Sequence, residues 1–286
     1  MAKLLRWTGY VITALLLVLL VAALWLWIAS ERMLNPGGGG RAEQLAAPTA
    51  MQLADANRQM LVLGCVDCHG NGLRGNLFFD EPNIAKIYAP NITLLAARST
   101  DQQLARAIRQ GIGTDGRALV IMPSAPFSRL SDGELAALTR AIRMLPKGGR
   151  DMPSRQVGLL GRLGLVTGKF NTQPSLVSEF ARKMPIALGP ELEVGRHLVA
   201  TRCAECHGAD LSGAEVEPGL SAPDLTIAGA YDLIAFKTLM RTGVPAGGRK
   251  LRTMGDVARD DFSHYTDAEI TQIHAYLKAR AQKLSR

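Results

Sequence analysis

Near its N-terminus the chain has an uncharged apolar run over about residues 8–28. Lys3 and Arg6 precede this run. The run has about the 20 residues that a helix needs to cross the hydrocarbon core of a bilayer. The basic residues before it predict a cytoplasmic N-terminus, with the rest of the chain on the opposite side of the membrane. A cleaved signal peptide would give a similar pattern, but the run is longer than a usual signal core and positions 29–31 form a poor cleavage site. Residues 1–30 are therefore predicted to be a retained transmembrane anchor.

Residues 31–50 interrupt the apolar pattern. Asn35 and Pro36 precede four glycines at positions 37–40, and small or polar residues follow. Because consecutive glycines lose much backbone entropy when they are ordered, this segment is predicted to be a flexible tether.

Helical periodicity then occurs twice, in the same order. Ser131 with Glu134, and Thr266 with Glu269, have the spacing of a capping box, and apolar residues at helical spacing follow each box. Middle helices are predicted over about residues 100–110 and 230–242, and first helices over about 51–63 and 192–201. The pattern predicts an all-α fold with little sheet.

The two halves also share short stretches of sequence. Residues 89–93 resemble residues 222–226, residues 109–112 resemble 241–244, and residues 130–135 resemble 265–270. A repeat of this length fits two tandem domains of ordinary size, which we place at residues 51–147 and 188–286.

Residues 148–187 match neither repeat and are rich in Lys and Arg. This linker is long for a plain connector. It could wrap both domains, contact anionic lipid or an acidic partner, or remain a solvated basic connector.

Each repeat contains one C-x-x-C-H motif, at residues 65–69 and 203–207. This spacing is the attachment signature of c-type haem, because two thiols can bond the two vinyl groups of one porphyrin and the following histidine can ligate its iron. A redox dithiol or a four-cysteine zinc site would use the same cysteines but would leave both histidines unexplained. We therefore predict two haem c groups. Their candidate attachment residues and proximal ligands are Cys65, Cys68 and His69, and Cys203, Cys206 and His207.

Each iron also needs a sixth ligand or an open position. Met122 and Met254 lie at matching places in the repeat, in the predicted loop between the middle and last helices, and are the candidate ligands. Met/His ligation raises the reduction potential and closes the iron to substrates. Met240 and His264 are rivals to Met254. His264, His197 and His274 are predicted to be surface or packing residues.

These stretches resemble a known family. The two repeats are similar to tandem class I cytochrome c domains behind one N-terminal transmembrane helix. Residues 87–93, residues 111–119 and Met122-Pro123 resemble the haem domains of the membrane-bound cytochrome c subunits of periplasmic alcohol, aldehyde and gluconate dehydrogenases. Those subunits typically carry three haem motifs and a C-terminal anchor, whereas this chain has two motifs and an N-terminal apolar run.

The resemblance implies a function in electron transfer rather than catalysis. The expected protein is a single-pass component of the bacterial inner membrane with its haem domains in the periplasm. It would relay electrons between a dehydrogenase or quinol-oxidising complex and a terminal acceptor, with the membrane and redox proteins as partners. No nucleic-acid motif, catalytic constellation or small-molecule substrate site is evident. Alternatives are a dihaem peroxidase, which needs an open sixth position, and the dihaem subunit of a terminal oxidase.

The resemblance also implies that the first and last helices of each domain cross closely. In the second repeat, Gly195 is expected to face Tyr276. In the first repeat, Asn57 and Ala141 would take these two positions, with the bulk exchanged between the helices. Gly195→Asn is expected to overpack its crossing, and Tyr276→Ala to recover part of the loss.

Overall fold

The computed structural model describes residues 2–38, 40–217 and 219–285, and it is mostly helical. The first nine helices are α1 (Ala2–Leu34), α2 (Ala50–Val62), α3 (Cys65–His69), α4 (Ile92–Ala97), α5 (Asp101–Gln110), α6 (Ser124–Phe127), α7 (Asp132–Met144), α8 (Leu159–Val166) and α9 (Gln173–Phe180). The others are α10 (Glu193–Leu198), α11 (Ala204–His207), α12 (Leu233–Thr242), α13 (Thr253–Asp260) and α14 (Asp267–Leu284). Short strands are β1 (Asn76–Glu81), β2 (Ala85–Ala89), β3 (Gln156–Val157), β4 (Ala214–Glu217) and β5 (Leu220–Ala222).

Helix α1 is long and apolar enough to cross a membrane. It continues to Leu34, four residues beyond the predicted end of the anchor. Most of its side chains are exposed, but Ser30 and Leu34 are buried against the rest of the protein. The last turn of this helix is therefore packed into the head.

The segment after α1 differs from the expected flexible tether. The backbone N–H of Arg41 donates to the side chain of Gln110, which donates back to the Arg41 carbonyl. Glu43 is buried, its carboxylate pairs with Arg109 at 2.8 Å, and its backbone carbonyl accepts from the Gln102 side chain. A carboxylate can be buried only where charged and polar partners replace water. These partners lie on α5, so the segment is bound to the first repeat.

Two helical units follow, which we call the first half (residues 50–147) and the second half (residues 188–285). Each has its own hydrophobic core. The predicted first, middle and last helices are confirmed as α2, α5 and α7 in the first half and as α10, α12 and α14 in the second. Both predicted capping boxes are formed, at Ser131 and at Thr266. The predicted first helix of the second half is broken after Leu198, where a π-helical turn, Val199–Cys203, takes over.

Each half also contains a β-hairpin that the periodicity did not reveal. β1 pairs antiparallel with β2, with Asn76 opposite Ala89, and β4 pairs antiparallel with β5, with Ala214 opposite Ala222. Both hairpins follow the C-x-x-C-H motif of their half and both contain a bulge. The duplication therefore extends to elements that are too short to give a sequence period.

The linker is folded rather than a solvated connector. β3 adds to the edge of β2, α8 packs on α1, and α9 packs on α6. Arg129 of the first half donates to the carbonyls of Phe180 and Lys183 in the linker, and to those of Ala200 and Ala209 in the second half. The interpretation of the linker as a wrap around both halves fits these contacts.

The two halves bind each other through the glutamates of their capping boxes. Arg58 on α2 forms a two-pronged ion pair with Glu269, at 2.8 and 2.9 Å. His197 on α10 contacts Glu134 at 2.9 Å. A residue of the first helix of each half thus contacts the cap of the last helix of the other half. Such reciprocity is what a two-fold relation between two similar units produces.

Backbone carbonyls near the end of each first helix also accept hydrogen bonds from the other half. Arg202 of the second half donates to the Val62 carbonyl at the end of α2, at 3.2 Å. Arg129 of the first half donates to the Ala200 carbonyl, at 3.1 Å. Val62 itself is buried in the core of the second half. The two halves therefore form one body with a pseudo-two-fold interface.

The predicted crossing of Gly195 and Tyr276 is confirmed, with one correction. A Cβ on Gly195 would lie 2.1 Å from the Gln272 carbonyl oxygen and 2.9 Å from the Tyr276 Cβ. The buried Tyr276 hydroxyl donates to the Ile186 carbonyl at 2.9 Å. The atoms nearest to this Cβ are thus the backbone of α14 and the Cβ of residue 276. The Tyr276→Ala variant would keep both. Tyr276→Ala is therefore not expected to relieve the contact that a Cβ at Gly195 makes with this backbone.

The corresponding interpretation of the first half is wrong. Asn57 is exposed, so it does not fill the crossing of α2 and α7. The small side chain that is buried on α2 is that of Ala56, and Ala137 and Ala141 are buried on α7. The helices approach through alanines on both sides, and no bulk is exchanged between them.

The first prediction concerns this crossing. Gly195→Ala should lower the free energy of unfolding by about 1–3 kcal/mol, because its methyl group meets the Gln272 carbonyl. Adding Tyr276→Ala should recover none of this loss in chemical denaturation, since the obstacle remains. Gly255→Ala on α13 is the matched control, because its Cβ would make only ordinary contacts. A neutral Gly195→Ala, or recovery in the double variant, would contradict the packing described.

The pair between Glu134 and His197 depends on pH. Burial opposes ionisation of Glu134, but hydrogen bonds from His197 and Ser131 outweigh it and lower the pKa of Glu134 to about 2. Burial also opposes protonation of His197, but the Glu134 carboxylate outweighs it and raises the pKa of His197 above its ordinary value. A raised histidine pKa contributes stability that is complete below the unfolded-state pKa and is lost as pH rises through the folded-state value. The lowered glutamate pKa contributes stability that is lost only at strongly acidic pH.

The second prediction follows from these signs. His197→Gln should lower the free energy of unfolding by roughly 0.2–1 kcal/mol at pH 5.5, the range for partly exposed ion pairs, and by less at pH 8.5. Arg58→Gln removes the reciprocal pair, and its loss should be the same at both pH values because Arg58 stays charged. If denaturant titrations show the same pH dependence of this loss for both variants, the His197 imidazole is not the group whose titration changes the stability.

Candidate haem sites

The two C-x-x-C-H motifs lie at the same place in the two halves, on a short helix after the first helix. In the first half, Gly64 ends α2 with a φ of 67°, and α3 carries the motif. In the second half, the π-helical turn leads into Cys203, and α11 carries the remaining motif residues. Both routes place the motif on a short helical segment at the core of its half.

The motif histidines are oriented by matching hydrogen bonds. Nδ1 of His69 lies 2.9 Å from the Pro90 carbonyl oxygen, and Nδ1 of His207 lies 2.7 Å from the Pro223 carbonyl oxygen. A carbonyl oxygen only accepts, so Nδ1 carries the proton and Nε2 keeps its lone pair. Metal-ligating histidines are typically held in this way, by donating their other ring N–H to a carbonyl.

Burial keeps both rings in the form that binds a metal. Burial lowers the pKa of His69 and of His207, although the hydrogen bond to the proline carbonyl acts in the opposite direction. Both imidazoles are therefore neutral at neutral pH, as a ligand to iron must be.

The pKa values of the cysteine thiols are shifted in the opposite direction to those of a reactive dithiol. Burial raises the pKa of Cys65 and of Cys203 to about 12, and that of Cys68 and of Cys206 to about 11. None of the four is in a disulfide. Redox-active C-x-x-C pairs have lowered thiol pKa values, so this environment argues against a dithiol oxidoreductase.

A shared zinc site is not formed either. Among residues 2–38, 40–217 and 219–285, no three His, Cys, Asp or Glu side chains converge where they could hold a metal ion. Cys65 packs against the core of the first half, and Cys203 packs against the core of the second.

The candidate sixth ligands lie in the same clusters as the cysteines. Met122 is partly buried against the first core, and Met254 against the second. Met122 lies in a bend before Pro123 and α6, as the sequence predicts. Met254 was expected in a loop, but it is the second residue of α13. Both methionines thus stand at the start of a short helix that precedes the last helix.

The rivals of Met254 have other environments. Met240 is buried in the second core on α12. The backbone carbonyl of His264 accepts from Arg58, which places this residue at the interface between the halves. His274 contacts the Tyr231 carbonyl at 2.9 Å and packs against Phe236, so it has the predicted packing role.

A charged network that sequence reasoning missed lies between the two motifs. Arg202, which precedes Cys203, is buried and forms ion pairs with Glu205 and with the fully buried Asp261. Burial raises the pKa of Asp261, Arg202 opposes this effect, and the nearby Asp67 adds to it. Because Asp67 and Glu205 are inner residues of the two motifs, this network joins the motifs across the interface. The only sequence signal was an arginine directly before a motif.

The residues present fit a covalently bound haem. Such a group needs two thiols three residues apart and a neutral histidine with a free Nε2, and each half provides both. The oriented histidines are the observation on which this assignment depends, because a hydrogen bond from Nδ1 is not required by the sequence motif itself.

Comparison with known protein families supports this assignment for the second half. Residues 192–281 match the family model of cytochrome c. A search of curated proteins finds no match for this chain. Residues 192–281 are therefore a cytochrome c domain, whose function is electron transfer by a covalently bound haem.

Proposed function

We propose that this protein is a membrane-anchored dihaem cytochrome c that transfers electrons at the periplasmic face of a bacterial inner membrane. In this proposal, residues 51–147 and 188–286 are two tandem class I cytochrome c domains. The observation that carries it is the matched pair of hydrogen bonds from His69 to Pro90 and from His207 to Pro223. The first half repeats the histidine geometry of the half that matches the cytochrome c family.

A bound haem supplies an iron that accepts and releases one electron. The chain's own residues would hold it in place. Cys65 and Cys68, or Cys203 and Cys206, attach the porphyrin, and Nε2 of the motif histidine is free to ligate the iron. The hydrogen bond at Nδ1 holds the plane of the ring and increases the basicity of Nε2.

Met122 and Met254 are the proposed sixth ligands. The backbone near Met122 is restrained, because Ser124 N donates to the Met122 carbonyl at 2.8 Å and Ser124 Oγ donates to the Ala107 carbonyl at 2.9 Å. A thioether held at the iron favours the ferrous state and closes the iron to peroxide. This arrangement favours electron transfer over the dihaem peroxidase.

The interface between the halves supports electron transfer within one chain. Arg202 binds the Val62 carbonyl on one side and Glu205 and Asp261 on the other, so the residues around the two motifs are in contact. Reciprocal ion pairs at Glu134 and Glu269 add further contacts between the halves. An electron that enters one domain would therefore pass to the other without a separate docking step.

Retention of α1 is supported by its contacts with the head. Ser30 Oγ accepts from Arg162 at 2.8 Å, and the Leu34 carbonyl accepts from Ala118 N at 3.0 Å and from Arg155 at 3.0 Å. Cleavage after residue 31 would remove the Ser30 hydroxyl that Arg162 binds, whereas Leu34 would remain with the head. Lys3 and Arg6 favour a cytoplasmic N-terminus, which places the haem domains in the periplasm. The partners there would be a dehydrogenase or quinol-oxidising complex and a terminal acceptor.

The third prediction concerns the number of haems. The purified chain should show a mass increase of two haems that survives denaturation and organic extraction, because thioether bonds are covalent. Replacing Cys65 and Cys68 by Ala should remove one haem, and replacing Cys203 and Cys206 by Ala should remove the other. The two double variants control for each other. One haem in the unchanged chain, lost only in the second variant, would restrict the site to residues 192–281.

The fourth prediction concerns ligation. Met122→Ala and Met254→Ala should each remove about half of the weak near-infrared band of sulfur-ligated ferric haem and lower one reduction potential. Met240→Leu is the matched control, because this buried methionine belongs to the core. An unchanged band in either alanine variant would assign the sixth ligand of that haem elsewhere.

A further inference from the structure

Helix α8, in the linker, buries a charged side chain and exposes apolar ones, which is the opposite of a surface helix in a water-soluble domain. Its buried positions are Gly161, Arg162, Gly164 and Leu165. The exposed side chains are those of Leu159 (65%), Leu160 (52%) and Leu163 (46%). Surface helices normally turn their apolar residues inward and their charged residues outward. A helix that buries glycines and an arginine while exposing leucines is built to face an apolar medium.

A glycine is required at position 161 because α8 lies directly on backbone there. A Cβ on Gly161 would lie 2.2 Å from the Ile84 carbonyl oxygen. The N–H groups of Gly158 and Leu160 donate to the carbonyls of Ile84 and Asn83, both at 2.9 Å. The start of α8 is thus bound to the turn between β1 and β2, and its leucines cannot rotate inward without breaking these bonds.

The arginine fixes α8 to the end of the apolar helix. The Arg162 guanidinium stacks on the Trp27 ring at 3.6 Å and donates to Ser30 Oγ at 2.8 Å and to Glu31 at 2.9 Å. These residues are in the last two turns of α1, where its uncharged run ends. Trp25 and Trp27 are more than half exposed there, and tryptophans concentrate at the level of the lipid headgroups. The exposed leucines of α8 therefore continue the apolar surface of α1 at this level.

We propose that α8 is a second membrane contact, with Leu159, Leu160 and Leu163 inserted among the lipids at the outer boundary of the bilayer. This inference rests on the proposed retention of α1 in the membrane. Helices that lie in this boundary bury an apolar face among the headgroups and upper acyl chains. Lys169, exposed just after α8, can reach phosphate groups from this position.

The consequence is a fixed orientation of the head. A head held by one transmembrane helix alone can rotate and tilt relative to the membrane. A second membrane contact, at α8, restricts this tilt. Because α8 is also bound to the β1–β2 hairpin, the first half would be held against the membrane and the second half would lie farther out. A membrane-bound electron donor would then meet the first half, and a soluble periplasmic partner would meet the second.

The test uses the full-length holoprotein in phosphatidylcholine nanodiscs that contain a lipid with a photoreactive diazirine near the headgroup end of its acyl chain. After irradiation, mass spectrometry should find lipid adducts on α1 and on the peptide that contains Leu159–Val166. The variant with Leu159, Leu160 and Leu163 changed to Gln should keep its haem spectrum, its place in the disc and the adducts on α1. The lipid adducts on its α8 peptide should fall to the background level.

Ile234 on α12 provides the matched control, because it is 80% exposed but lies in the second half. Its peptide should carry no adduct, and Ile234→Gln should leave labelling of α8 unchanged. Chains that remain in the disc with labelled α1 but unlabelled α8 would overturn the inference, and would mean that protein or water covers the leucines. Chains that lack α1 by intact mass and do not enter the disc would instead contradict the retained anchor.

Discussion

A hydrogen bond between an imidazole Nδ1–H and a proline carbonyl is the constraint around which each half is arranged. It requires the motif helix and the chain segment at Pro90 or Pro223 to meet at a fixed distance, and it leaves Nε2 as the free nitrogen. Burial supports the same outcome, because a desolvated imidazole stays neutral. The hairpin in each half ends directly before the proline, at Ala89 and at Ala222, so it brings the carbonyl back to the histidine.

The pseudo-two-fold interface uses groups that already have a local role. Glu134 and Glu269 cap their own helices and also accept from the first helix of the other half. A capping glutamate is held in place by its helix, so it loses little further entropy when it binds a partner across the interface. The two interhalf pairs differ in one respect: Arg58 is charged at all relevant pH values, whereas His197 is not. The interface is therefore symmetric in geometry but not in its response to pH.

Much of the helical framework and of the candidate haem sites could be predicted from the sequence, because capping boxes and C-x-x-C-H motifs are local signals. The contacts between halves could not. His197 was assigned only a surface or packing role, since nothing in the sequence shows that Glu134 faces it. Asn57 was assigned to a crossing that Ala56 occupies, because a shift of one residue is invisible without the partner helix. The linker was described by its charge, although its eight-residue apolar helix, with an arginine turned inward against Trp27, carries the more specific information.

The central claim is that one chain carries two redox centres in two domains joined by a rigid interface. A titration of the oxidised full-length protein with a known amount of reductant, followed by its visible absorption, tests this claim most directly. The account predicts that reduction takes up two electrons per chain, and that the variant with Cys203 and Cys206 changed to Ala takes up one. Uptake of one electron by the unchanged chain would contradict the account and would leave residues 192–281 as its only redox domain.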